Sequence, residues 1–124
     1  MTNEKIILIV EDEKPLMNAL FAKLTKEGYG LLRATDGEEG LKMALKKKPD
    51  LILTDIIMPV MDGITMLGHL REDDWGKNVP VIILTNLSDE IRLKEAQDNN
   101  VNDYLVKSDW KISDVAAKVK EKIG

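Results

Sequence analysis

Short runs rich in β-branched and apolar residues alternate along this chain with stretches of helical spacing, and that alternation constrains the fold more than any other feature. Lys5 to Val10, Asp50 to Thr54, Val79 to Leu84 and Asn102 to Val106 read as strands, with Gly30 to Ala34 a fifth of weaker pattern. Strands buried on both faces are apolar throughout, so these runs point to parallel pairing under helices. Between them, Leu16, Leu20 and Leu24 mark a first helix; Leu41, Ala44 and Leu45 a second; Ile64, Leu67 and Leu70 a third. Ile91 and Ala96 fit a fourth, and Ile112, Val115, Ala116, Val119 and Ile123 trace one face of a fifth. Helix boundaries are signalled by Gly28, Asp36, Pro49, Asp62, Ser88, and Ser108 or Asp109. The repeated βα unit predicts an α/β fold. Its form is a doubly wound five-stranded parallel sheet, order 2-1-3-4-5, with right-handed crossovers.

Composition narrows the function. The length of 124 residues suits one domain, residues 1–124, with no repeat, linker or second domain expected. The longest uninterrupted apolar run is the five residues from Ile6 to Val10, far short of the ~18 that a membrane span needs. Met1 to Lys5 lacks the pattern of a signal peptide, so a cytoplasmic protein without membrane contact is expected. There is no cysteine, which excludes disulfides, thiolate metal sites and cysteine nucleophiles, and His69 alone cannot build a histidine-rich metal site. A net charge of -4 with only Arg33, Arg71 and Arg92 argues against direct nucleic-acid binding. Lys46 to Lys48 closes the second helix, where cations suit the helix dipole.

In a sheet of this order, ligands bind outside the carboxyl ends of the strands, where the winding reverses between the first and third. That rule selects Glu11-Asp12-Glu13, Asp55, Thr85 with Asn86, and Lys107. Carboxylates a few ångströms apart repel, and a hard divalent cation is their natural occupant. Mg2+ fits best, since it takes oxygen ligands and works beside phosphate. Lys107 adds a cation for an incoming anion and Thr85 a neutral donor. The sum is a phosphoryl-transfer site with Asp55 as nucleophile. A plainer reading has Glu11, Asp12 and Glu13 only charging the first turn of a helix.

Taken together, the acidic pair Glu11-Asp12, Asp55 with Met58-Pro59 and Asp62-Gly63, Thr85, and Tyr104 three residues before Lys107 resemble the receiver domain of two-component response regulators, over the whole chain. The resemblance implies a flavodoxin-like (βα)5 fold in which Asp55 accepts a phosphoryl group from a phosphohistidine. The donor it implies would be a sensor histidine kinase or a phosphotransfer protein. Mg2+ would be held by Asp12, Asp55, the backbone carbonyl of Ile57 and, through water, Glu11. Lys107 would pair with the phosphoryl oxygens, Thr85 would turn its hydroxyl to them, and Tyr104 would follow from an outward to an inward rotamer. The signal would reach the face made by helix 4, strand 5 and helix 5, including Arg92, Tyr104 and Trp110. Output would pass to another protein or through self-association.

Departures from the family pattern are Ser108 where proline is common, Glu11 for the more frequent aspartate, and Asn86 for a small residue. Ile57 and Leu87 are apolar at positions that help to place or obstruct the hydrolytic water, so slow autodephosphorylation is expected and no enzyme activity beyond it. Rival readings are an aspartyl-phosphate phosphatase, which would need an acid at Ile57, and a mononucleotide binder, which the Glu11-Asp12-Glu13 loop would repel. A degenerate receiver serving as a protein-binding module is the third. His69 reads as a solvated residue, Trp75 as a packing anchor, Trp110 as partner contact or local packing, and the methionines mostly as core fillers.

Overall fold

The computed structural model describes residues 4–85, 90–101, 103–106 and 111–124, and within these not the side chains of 90–93. Strands and helices alternate in the expected order: β1 (Ile6–Val10), α1 (Lys14–Lys26), β2 (Gly30–Ala34), α2 (Gly37–Lys47), β3 (Leu51–Asp55), α3 (Gly63–Arg71), β4 (Val81–Thr85), α4 (Glu90–Asp98), β5 (Asp103–Val106) and α5 (Ile112–Ile123). All pairings are parallel, and the sheet order is β2-β1-β3-β4-β5. The order reverses between β1 and β3.

Alternation along the strands sorts the core into two layers. Ile7, Ile9, Leu51, Leu53, Ile82 and Leu84 pack with Met17, Leu20 and Leu24 of α1 and Val115, Ala116 and Val119 of α5. Leu8, Val10, Ile52, Val81 and Ile83 pack with Ala44 of α2, Met66, Leu67 and Leu70 of α3, and Ala96 of α4. Each large side chain so buried contributes roughly 1.5–3 kcal/mol. Continuous apolar strands are therefore explained by helices on both faces.

Several boundaries differ by a residue or two from the sequence expectation, and three of them have a clear local reason. Asp50 stays outside β3, where its carboxylate accepts from the Ile6 amide at 2.8 Å, and the strand runs on through Asp55. Val79 and Pro80 precede β4; proline has no N–H to donate, but its carbonyl accepts from Ile52 at 3.0 Å. The N-cap of α5 is Lys111, whose amide donates to Asp114 at 2.7 Å, in place of a Ser108 or Asp109 cap. On α2, Leu45 is exposed and the packed face is Gly37, Gly40 and Ala44. A side-chain carbon on Gly40 would lie only 2.9 Å from Val10, so the close approach of helix and strand requires glycine there.

The opposite end of the sheet is tied by polar contacts. Arg71 donates to the carbonyls of Asn99, Gly76 and Val79 at 2.7–2.8 Å. Asp103 pairs with Lys118 at 3.3 Å and with Lys122, fastening β5 to α5.

Candidate functional site

The carboxyl end of β1 runs into Glu11, whose amide donates to Ala34 O at 3.0 Å and whose side chain is buried. Asp12 is exposed, and α1 begins only at Lys14, with Glu13 as N-cap and Pro15 in the first turn. The first turn of α1 holds no acidic residue. Glu11 and Asp12 thus do more than charge a helix end: Glu11 turns inward, and its Oε2 accepts from the Glu13 amide at 3.1 Å.

Asp55 ends β3 beside Leu84 and is 4% exposed. Its Oδ1 accepts from the Ile56 amide at 2.7 Å. The loop beyond alternates: Ile56 and Met58 are buried in the core layer under α3, while Ile57 between them is 58% exposed. Gly63 then opens α3, donating its amide to Ile56 O at 2.7 Å, and Asp62 caps the helix by accepting from Thr65 at 2.7 Å.

One carboxylate oxygen from each of Glu11, Asp12 and Asp55 lies within 4.8 Å of the others. Burial of a charge costs several kcal/mol unless it is compensated, and here two of the three are buried together. An all-oxygen donor set of this size and charge suits a hard divalent cation, so the residues present fit the metal that the sequence implies. Thr85 closes β4 on the same sheet edge, is 3% exposed and pairs with Val106 of β5.

A family model described as the response regulator receiver domain matches residues 7–120. The chain belongs to the response regulator receiver family. Among curated relatives, this receiver is 42% identical over 106 residues to the hybrid signal transduction histidine kinase D of Dictyostelium discoideum, covering 85% of this chain and 7% of that protein. It is 35% identical over 116 residues to the alkaline phosphatase synthesis transcriptional regulatory protein PhoP of Bacillus subtilis, covering 94% and 47%. The chain thus spans less than half the length of either. A solved receiver domain of a Pseudomonas aeruginosa sensor histidine kinase, described with a magnesium ion coordinated in its active-site cleft, superposes with a TM-score of 0.87 at 29% identity, covering 98% of both chains.

Of the site residues expected in this receiver, Glu11, Asp12, Asp55 and Thr85 meet at one edge. Lys107, Asn86, Leu87, Ser108 and Trp110 lie outside the described residues, as does the side chain of Arg92. Tyr104 is 42% exposed on β5, Trp75 packs on the core as an anchor, and His69 is exposed. No helix among the described residues is long and apolar enough to cross a membrane.

Two features beside the receiver site escape sequence reasoning. Val60 adopts φ 68° at the centre of a turn in which Met61 N donates to Pro59 O at 2.7 Å, although β-branched residues disfavour that conformation. Thr54 is a buried hydroxyl within an apolar strand, and nothing in the pattern separates it from its neighbours.

Proposed function

We propose that this receiver takes a phosphoryl group from a partner phosphohistidine onto Asp55 and that the modification switches its helix 4, strand 5 and helix 5 face. The observation that carries this is Asp55 at the end of β3 with Glu11 and Asp12, oxygens within 4.8 Å. An Asp55 carboxylate oxygen attacks phosphorus in line; the new P–O bond forms as the P–N bond breaks, and the imidazole nitrogen leaves with the bonding pair and takes a proton. Asp12, Asp55 and the Ile57 carbonyl, with Glu11 through water, would hold Mg2+, which would supply positive charge to the phosphoryl oxygens.

The chain's own residues do the rest. The Ile56 amide holds Asp55 Oδ1 and so orients the carboxylate for attack. The Thr85 hydroxyl and the Lys107 ammonium supply donors that neutralise the transferred group. Phosphorylation adds about -1.5 to -2 charges at one point, and donors that reach it in only one arrangement shift the equilibrium toward that arrangement. Tyr104, exposed at the outset, moves inward behind Thr85. With Ile57 and Leu87 apolar, neither orients a hydrolytic water, so the receiver is a slow-turnover acceptor and not an enzyme acting on other substrates. We assign it to the cytoplasm, with a sensor kinase or phosphotransfer protein upstream and a protein partner or a second copy downstream. Incubation with Mg2+ and acetyl phosphate or phosphoramidate, followed by intact-mass measurement, tests the reading. A phosphoryl adduct supports it; no adduct from either donor and no Mg2+ binding would leave a degenerate binding module.

A further inference from the structure

Thr54, the penultimate residue of β3, is 1% exposed, and its hydroxyl donates to the carbonyl of Asp55 at 2.9 Å. That carbonyl belongs to the same peptide group as the Ile56 N–H, which donates to Asp55 Oδ1 at 2.7 Å. A peptide group is planar, so its C=O and N–H move as one body. Whatever fixes the carbonyl therefore fixes the donor that aims the carboxylate. On the other side, Gly63 lies against the same carbonyl oxygen so closely that a side-chain carbon there would overlap it, and the Gly63 amide holds the next carbonyl, Ile56 O, at 2.7 Å. The peptide is thus held by a hydroxyl on its own strand and backed by the start of α3.

We propose that Thr54 is a positioning residue for phosphoryl transfer, acting through the Asp55–Ile56 peptide on the Asp55 carboxylate. The proposal rests on Asp55 being the phosphoacceptor. In-line attack is sensitive to displacements of an ångström or less, which makes a hydroxyl one peptide away kinetically visible. A threonine that served only as a β-branched core residue would be replaceable by valine, its near-isostere.

The test compares wild type, Thr54→Val and Thr54→Ser for the rate of Mg2+-dependent adduct formation with phosphoramidate, and for the amide proton shift of Ile56 in the NMR spectrum. The expected result is about tenfold slower phosphorylation and a displaced Ile56 amide resonance in the valine chain, with serine within about threefold of wild type and its resonance restored. A folded valine chain that phosphorylates at the wild-type rate overturns the proposal, and so does equal slowing in the serine chain, which would trace the loss to the methyl group. If the valine chain does not fold, Thr54→Ala against Thr54→Ser decides on the same two readouts. A wild-type chain that forms no adduct overturns the phosphoacceptor reading, and the positioning role with it; a normal wild-type adduct with an indifferent Thr54 overturns the positioning role alone.

Discussion

Tyr104 stands beside Ile83 across the β4–β5 pair, and Thr85 lies two residues beyond Ile83 on the same face of β4. Ile83 packs in the layer that contains Ala96 of α4, whereas Leu84 and its neighbour Leu105 face the α1 and α5 side. Thr85 and Tyr104 therefore share the α4 side of the sheet, on neighbouring strands.

Thr85→Ala should leave Asp55 able to accept a phosphoryl group but disconnect Tyr104. Loss of a hydrogen bond to a charged group costs ~1.5–3 kcal/mol, which lowers the conformational shift roughly ten- to a hundredfold. NMR of the Tyr104 ring checks this: burial on phosphorylation in wild type, little change in Thr85→Ala. A ring that responds equally in both would disprove the coupling.

Val60 is 76% exposed, so its side chain gains little from burial while its backbone holds φ 68°. A γ-turn of this hand is strained for any residue that carries a side chain, at a cost of about 1–3 kcal/mol, and glycine adopts it freely. Val60→Gly should raise stability by about 0.5–1 kcal/mol, the relief of strain outweighing glycine's greater chain entropy, and the melting temperature by roughly 2–4 °C. Urea unfolding gives the answer; a lower midpoint would show that the valine contributes something the backbone argument omits.

Strand order and the acidic edge are legible in the sequence because both follow from rules of one dimension: apolar runs mark strands, and the winding rule selects their carboxyl ends. Lys5 and Asp50 were expected inside strands on pattern, yet a hydrogen bond between Ile6 and Asp50 sets both edges. Leu45 fits a helical stripe but is exposed, since the face that α2 lays against the sheet is that of Gly37, Gly40 and Ala44, and Leu45 lies to one side of it. Thr54 and Asp103 depend on partners that only the folded chain brings within reach: a peptide plane for one, and two lysines of α5 for the other.

The Asp103 carboxyl is held below its ordinary value of 3.8, first by the hydrogen bond from Lys122, against an upward push from burial, and then by Lys118. Because the folded-state value is the lower one, the unfolded chain takes up the proton first as pH falls. The contribution is complete at pH 5 and above, and it fades below about pH 4 as the folded carboxyl titrates. Asp103→Asn should cost about 1 kcal/mol at neutral pH, since both lysines are partly exposed. Urea unfolding from pH 7 to pH 3 should show the gap to wild type closing at the acid end; a gap that widens there would reverse the sign.

Turnover provides a separate check. Exposed Ile57 offers no group to activate water, and the same holds for the chemistry of Leu87, so the phosphoryl group should persist for minutes or longer with Mg2+. Leu87→Glu should shorten that lifetime about tenfold or more by supplying a carboxylate to orient water. A wild-type half-life of seconds, or an unchanged rate in Leu87→Glu, would contradict this.

Phosphoryl transfer to this receiver should make Asp55 itself the acyl phosphate. The most direct test is treatment with Mg2+ and phosphoramidate, borohydride reduction of the product, and peptide mapping by tandem mass spectrometry. Residue 55 should be converted to homoserine, in a reaction that depends on Mg2+ and is lost in Asp55→Asn. Phosphoryl incorporation that maps elsewhere, or that survives unchanged in Asp55→Asn, would contradict that assignment.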